Sequence, residues 1–135
     1  YVLEYNVRFG DPECQVLMHH MKSDLFPYLE AITTQNLDKL PDPEFYDGFS
    51  VTVALCSKGY PNEYETGKEI TILPINNSNV TIHHAGLNHD TTKSGRVMYI
   101  TGRGNTISYA RHVVYNAIQK ISFEGMIYRT DIGVF

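Results

Sequence analysis

The sequence predicts an α+β fold in which several antiparallel strands are covered by one helix. Between residues 49 and 101, short segments of strand-forming residues alternate with turn-rich loops, the pattern of an antiparallel sheet. Residues 107–121 instead carry apolar side chains at helical spacing. The chain has 135 residues, 42% hydrophobic and 19% charged, which is the size and composition of a single folded globular unit.

The first 35 residues predict one strand followed by two helices. Apolar and polar residues alternate over residues 1–9, so the odd positions form a core face and the even positions a polar face. Asp11 is the predicted N-cap of the first helix, with Pro12 at its first position, and Asp24 caps the second. The predicted buried stripes are Cys14, Leu17, Met18 and Met21 on the first helix and Leu25, Leu29 and Ile32 on the second.

The remaining residues predict the α+β unit itself. Residues 36–48, which contain two prolines and a glycine, predict a linker. A helix capped at Asn105 or Thr106 comes late in the chain, and residues 123–135 predict a short strand and tail. Between the linker and this helix, strands are predicted at residues 49–56, 69–73, 80–85 and 96–101.

Composition and charge argue against several classes of function. The net charge of −4 and the scattered basic residues argue against nucleic-acid binding, which needs clustered lysine and arginine. The same dispersal and the short apolar runs argue against a membrane protein. Cys14 and Cys56 lack zinc-ligand spacing and indicate two free thiols in a reducing cytoplasm. Because the chain begins inside a predicted strand, we expect it to be a piece of a longer protein.

The polar face of the first predicted strand places Glu4, Asn6 and Arg8 in a row, roughly 6.5–7 Å apart. Carboxylate and amide oxygens suit Mg²⁺, which takes one or two protein carboxylates and completes its shell with substrate phosphates. An arginine beside them could stabilise charge on a transferring phosphoryl group. On spacing alone, a solvated polar strand face is the more common explanation of such a row.

Longer motifs resemble one family of enzymes. Residues 4–15 read E-Y-N-V-R-F-G-D-P-E-C-Q, which resembles the segment typical of phosphoribosylamine–glycine ligases of the ATP-grasp superfamily. Cys14 replaces the usual threonine, and His19-His20 stands where many members carry proline or arginine. Further matches follow in the family's order at Lys22-Ser23-Asp24-Leu25, Gly59-Tyr60-Pro61, His84-Ala85-Gly86, Gly95-Arg96-Val97, residues 123–129 and Asp131-Ile132-Gly133.

The resemblance implies a site and a reaction. Glu4 and Asn6 would bind Mg²⁺ or Mn²⁺, with Glu4 able to bridge two ions, and Arg8 would be the catalytic arginine. Asp11 and Glu13 would line the glycine or phosphoribosylamine pocket, or would cap the helix, and both alternatives stay open. The family joins glycine to 5-phosphoribosylamine through a glycyl phosphate in de novo purine synthesis, cleaving ATP to ADP and phosphate.

The resemblance also implies a division of the chain. Residues 1–35 would end the ATP-grasp domain, residues 36–48 would be a linker, and residues 49–135 would form a small C-terminal barrel-sandwich hybrid domain. The remaining ATP- and metal-binding residues would precede residue 1, so we expect the chain alone to be inactive without the rest of the ligase. Two alternatives are another ATP-grasp ligase and a non-catalytic module for subunit contacts.

Three other features predict structure instead of chemistry. His19-His20 lies on the polar side of the first helix and predicts solvated side chains. His83-His84 alternates across a predicted strand, so the two rings cannot ligate one ion from that strand. Gly102-Arg103-Gly104 precedes a helix but lacks the remaining residues of a phosphate-binding loop, and therefore predicts a plain turn.

Overall fold

A computed structural model of the chain, which describes residues 1–134, is built around a four-stranded sheet with the strand order β3-β6-β1-β8. Its two long strands, β1 (Phe49–Ser57) and β6 (Arg96–Gly104), pair antiparallel along their length. Strand β3 (Val80–His84) pairs with the other edge of β6, and β8 (Met126–Ile127) pairs with the end of β1. The predicted antiparallel sheet is confirmed, with β6 longer than expected.

Two short antiparallel pairs accompany this sheet. Strand β2 (Ile70–Ile72) pairs with β7 (Ile121–Phe123), and β4 (Leu87–Asn88) pairs with β5 (Thr91–Thr92). Strand β7 directly follows the last helix, so Ile121 belongs to a strand and not to the helical stripe in which the sequence placed it.

The chain forms three α-helices and one short 3₁₀ helix within its described residues. The α-helices are α1 (Glu13–His20), α2 (Phe26–Thr33) and α3 (Ile107–Ile118), and the 3₁₀ helix is Leu37–Lys39. Thr106 is the N-cap of α3, because its hydroxyl accepts a hydrogen bond from the Tyr109 amide at 3.1 Å. This is one of the two predicted caps.

The hydrophobic core lies between α3 and one face of the sheet. Alternate residues of β1, Val51, Val53 and Leu55, are buried there. Helix α3 meets them with side chains that include the fully buried Val114 and Ile118. This core lies in the α+β unit that the sequence predicts, and it fixes the positions of β1 and β6.

Helix α1 covers the opposite face of the sheet and contacts it through polar side chains. His19 Nδ1 lies 3.1 Å from Thr81 Oγ1, and His20 Nδ1 lies 2.9 Å from Ser50 Oγ. The prediction that both histidines are solvated is therefore wrong. Helical spacing shows which residues share a face, but the sheet decides which face is covered. No residue of α1 is fully buried, including the predicted apolar stripe.

Residues 1–9 form no strand, contrary to the prediction. Leu3 and Val7, on the expected core face, are 97% and 95% exposed. A strand is stabilised when a neighbour pairs with its backbone groups, and the described part of the chain provides no such neighbour for this segment. The alternation in the sequence therefore has no sheet to join within residues 1–134.

Helix α2 differs from the prediction in both its cap and its buried face, since Leu25 and not Asp24 occupies the N-cap position. The Asp24 carboxylate accepts a hydrogen bond from the Phe26 amide at 2.9 Å, and proline occupies the first turn. Leu29 and Ile32, however, are 51% and 57% exposed, and Ala31 is the buried residue. The helix packs mainly against the short 3₁₀ helix, and this contact leaves the apolar stripe exposed.

The segment from residue 36 to residue 48 is attached to the end of α1 and to the sheet. Met21 and Phe45 form an isolated β-bridge, and the Glu44 carbonyl accepts from the Lys22 amide at 2.9 Å. The Arg103 guanidinium lies 3.6 Å from the centre of the Tyr46 ring. Arg103 is the middle of the Gly-Arg-Gly sequence for which a turn was predicted, and all three residues instead belong to β6.

Candidate functional site

The candidate site begins in the exposed segment that precedes α1. Glu4 and Asn6 lie beside each other there, because Asn6 Nδ2 donates a hydrogen bond to Glu4 Oε1 at 3.3 Å. Both side chains are exposed, as is Arg8. The Arg8 guanidinium donates to the Phe9 carbonyl at 3.2 Å and so turns back toward its own backbone. The three predicted residues thus share one segment, and two of them are in contact.

This pair suits a small hard cation but would be an incomplete site for one. A carboxylate and an amide oxygen are ligand types that Mg²⁺ accepts, and Mg²⁺ commonly draws its other ligands from water and phosphate groups. Within residues 1–134, no group of three or more histidine, cysteine, aspartate or glutamate side chains is arranged to hold a metal ion. Glu4 and Asn6 therefore fit part of a magnesium site.

Residues 10–13, here called the site turn, connect this segment to α1. The Gly10 amide donates to Glu13 Oε2 at 2.6 Å, and the Cys14 amide donates to the Gly10 carbonyl at 2.8 Å. A Cβ atom at Gly10 would lie only 3.0 Å from the Glu13 carboxylate, so glycine gives this side chain room. Glu13 thus binds a backbone amide ahead of the helix, and this contact does not decide between its two predicted roles.

Asp11 is not the N-cap of α1, which corrects the sequence prediction. Pro12 occupies the N-cap position, and no side chain caps the helix there. The Asp11 carboxylate is instead bound by three side chains. It accepts from Gln15 Nε2 at 2.8 Å and from the Tyr99 hydroxyl at 2.9 Å, and it forms an ion pair with Arg96 at 3.1 Å. These partners engage both carboxylate oxygens of Asp11 through side chains and not through the backbone amides of the helix.

Tyr99 is held in its neutral form by its surroundings. Its side chain lies on β6 and is 1% exposed. Burial raises the pKa of the Tyr99 hydroxyl, and the hydrogen bond to the Asp11 carboxylate raises it further. The hydroxyl therefore keeps its proton over the physiological range and remains a hydrogen-bond donor to Asp11.

Arg96 and Tyr99 are residues of this neighbourhood that the sequence prediction of the site missed. Arg96 lies in the Gly95-Arg96-Val97 motif, which could have drawn attention to it. Tyr99 stands within an apolar strand sequence and gives no comparable signal. Arg96 also lines a cleft of about 520 Å³ beside Pro12, with Tyr60 and Tyr128 among its mainly apolar walls.

Comparison with solved structures shows which class of protein this fold resembles. The fold is similar to the crystal structure of a ligase, the phosphoribosylamine–glycine ligase of Thermotoga maritima. The match has a TM-score of 0.72 and 34% sequence identity, and it covers 97% of this chain and 33% of that one. The fold is thus a small mixed α/β fold like part of a ligase.

A family model described as phosphoribosylglycinamide synthetase, C domain, matches residues 50–134. The chain therefore belongs to the phosphoribosylglycinamide synthetase family.

Curated relatives agree with this family assignment. The phosphoribosylamine–glycine ligase of Chlorobaculum tepidum is 44% identical over 138 residues, which cover 98% of this chain and 32% of that protein. The ligase of Rhizobium meliloti is 40% identical over 136 residues, with the same coverage of 98% and 32%. The chain thus spans about a third of the length of these relatives.

Other sequence predictions have simple outcomes. Cys14 and Cys56 are free, as predicted, and burial raises the pKa of the Cys56 thiol. None of the helices in the described range has the length and apolar character needed to cross a membrane. His83 and His84 lie in β3, where neighbouring residues alternate between its faces, as expected.

Proposed function

We propose that this chain is part of a phosphoribosylamine–glycine ligase. Residues 1–35 complete its ATP-grasp domain, residues 36–48 form a linker, and the residues from 49 onward form its C-terminal domain, a small barrel-sandwich hybrid. The whole enzyme joins glycine to 5-phosphoribosylamine with cleavage of ATP, in the cytoplasm. The observation that carries the proposal is the match to ligases of this name over 98% of the chain, a span that includes Glu4, Asn6 and Arg8.

In this proposal, the exposed segment before α1 supplies part of the ATP site. Glu4 and Asn6 lie next to each other, with Asn6 Nδ2 3.3 Å from Glu4 Oε1. They would hold Mg²⁺ or Mn²⁺ through one charged carboxylate oxygen and one neutral amide oxygen. The bound cation would offset the charge of the ATP phosphates. The incomplete ligand set is consistent with further ligands from the phosphates and from the rest of the enzyme.

The other predicted residues act through charge and position. Arg8 carries a guanidinium that would stabilise the phosphoryl group in transfer, since its only hydrogen bond within residues 1–134 is a backbone contact that it can exchange. Asp11 and Glu13 would border the glycine or 5-phosphoribosylamine pocket. Glu13 is exposed, and its carboxylate is already oriented by the Gly10 amide.

Replacing Asn6 tests the metal assignment. In the full-length ligase, Asn6→Ala removes one oxygen ligand, so we expect the Mg²⁺ concentration for half-maximal activity to rise by about tenfold or more. The measurement is glycine-dependent ADP release over a range of Mg²⁺ concentrations. The matched control is Asn62→Ala, at an exposed position in the loop that follows β1. An unchanged Mg²⁺ requirement for Asn6→Ala would contradict the assignment.

A further inference from the structure

The site turn is bound to the sheet by two side chains of β6, one at the start of the strand and one three residues further along. We propose that Arg96 and Tyr99 are positioning residues of the ligase, which hold the site turn, through Asp11, in the conformation that substrate binding requires. This inference rests on the proposed function and adds to it two residues of the C-terminal domain. Neither residue needs to touch a substrate for this role.

The contacts to Asp11 come from residues distant in the sequence. Arg96 Nη1 donates to the Asp11 backbone carbonyl at 3.1 Å, and Arg96 Nη2 lies 3.1 Å from Asp11 Oδ2. The Tyr99 hydroxyl donates to the same carboxylate oxygen at 2.9 Å. One guanidinium thus binds both the backbone and the side chain of Asp11, which fixes the direction of the turn as well as its place.

The Tyr99 side of these contacts is rigid. Strand β6 lies between β1 and β3, where Tyr99 pairs with Ala54 and His83. The residue is 1% exposed, so close packing restricts the rotamers open to its side chain. The hydroxyl is therefore presented to Asp11 from a fixed point in the fold.

Movement of Asp11 would be transmitted to the proposed substrate contacts. Asp11 accepts from Gln15 in the first turn of α1, while the neighbouring Gly10 amide binds the Glu13 carboxylate. The preceding residues 1–9 make no backbone hydrogen bond to another part of the described chain. The site turn is consequently the place where the segment carrying Asn6 and Arg8 becomes fixed relative to the sheet.

Docking of α1 does not depend on these contacts alone. His19 and His20 bind Thr81 and Ser50 further along the same helix. If docking were the only requirement, these later contacts could meet it, whereas the contacts of Arg96 and Tyr99 act on the site turn itself. Ser50 therefore provides a control that weakens docking at a distance from the turn.

The kinetic test uses Tyr99→Phe in the full-length ligase, because phenylalanine keeps the buried ring and removes only the hydroxyl. We expect the KM for glycine or for 5-phosphoribosylamine to rise about threefold to tenfold, as for the loss of one hydrogen bond to a charged group. The Mg²⁺ requirement should change less than in Asn6→Ala, because Tyr99→Phe keeps both proposed metal ligands. Arg96→Gln should raise the same KM more than Tyr99→Phe does. Arg96→Lys keeps the positive charge and should raise it less than Arg96→Gln does. Ser50→Ala should leave both KM values unchanged.

Hydrogen exchange of the same proteins supplies a readout that needs no activity. Tyr99→Phe should speed exchange at the backbone amides of residues 10, 11, 13 and 14 by about threefold to tenfold, and Ser50→Ala should not. Unchanged exchange would overturn the inference, as would unchanged KM values in an active protein. A full-length protein without glycine-dependent ADP release would overturn the proposed function instead, and the exchange rates would still show whether the hydroxyl orders the turn.

Discussion

Among single residues, His19 of α1 and His83 of β3 have the surroundings that most clearly disfavour a charged side chain. The Nε2 atoms of His19 and His83 are buried, and neither has a hydrogen-bond partner among the described residues. Burial lowers the pKa of His19, as do the positive charge of Arg103 and the neighbouring rings of His83 and His20. Burial also lowers the pKa of His83. Both rings are therefore neutral in the folded chain near pH 7.

This arrangement predicts a loss of stability in mild acid. Because the folded pKa of His19 lies below its usual value of 6.5, the unfolded chain binds the proton more readily. The contribution of His19 is complete above about pH 6.5 and is lost as the pH falls through its folded pKa. We expect the free energy of unfolding to fall between pH 7 and pH 5, and to fall less steeply in His19→Gln.

Denaturant unfolding at several pH values measures this difference. His112→Gln, on the exposed side of α3, is the matched control for removing one imidazole from the chain. Part of the slope should persist in His19→Gln because His83 remains. Equal slopes for the wild-type chain and His19→Gln would contradict the prediction.

Among the elements, α3 and the sheet depend most on close packing. Ile118 and Val114 of α3 are fully buried, and β6 places Gly102 beneath them. A Cβ atom at Gly102 would lie 2.7 Å from a methyl group of Val114, so the helix and strand could not approach this closely with a larger residue. The helix–sheet contact therefore needs both the apolar stripe and the glycine opposite it.

Two isoleucine substitutions compare this packing with that of α2. Ile118→Ala removes a side chain that is 0% exposed and should lower the free energy of unfolding by about 3 kcal/mol. Ile32→Ala makes the same change in α2, where the side chain is 57% exposed, and should change stability by no more than about 0.5 kcal/mol. Denaturant unfolding of both variants provides the comparison. A similar loss for both would show that α2 buries its stripe in solution.

In the molecule as a whole, the packed core and the candidate site occupy different parts of the chain. The core belongs to residues 49–123, while Glu4, Asn6 and Arg8 lie exposed ahead of α1. The site turn joins the two parts through Arg96 and Tyr99. A stable fold of these 135 residues consequently does not imply a complete catalytic site.

The chain by itself is therefore expected to be inactive as a ligase. It spans about 32% of the length of its relatives, and its candidate metal site has two adjacent oxygen ligands in an exposed segment. Purified residues 1–135 should release no ADP in a glycine-dependent manner, with the full-length ligase of a relative as the positive control. Measurable turnover by the 135-residue chain would contradict this prediction and the division of the site that it assumes.

Much of the fold could be predicted because its signals are local. The alternation in β1, the turn residues that follow it and the cap at Thr106 depend on neighbours within a few positions. The long motif of residues 4–13 drew attention to the segment of the candidate site, but it gave no sign of Arg96 and Tyr99. The roles of Glu4, Asn6, Arg8, Asp11 and Glu13 stay predictions that the proposed experiments test.

The sequence by itself determined the α+β class, four of the strands that begin within residues 49–101, the last helix and the segment that carries the candidate site. Only the tertiary structure decided which faces are covered. In the tertiary structure His19 contacts Thr81, residues 1–9 have no partner strand within residues 1–134, and Asp11 accepts hydrogen bonds from Arg96 and Tyr99. The physical reason is range: caps and periodicity act over a few residues, whereas the Asp11 contacts join positions 85 and 88 residues apart.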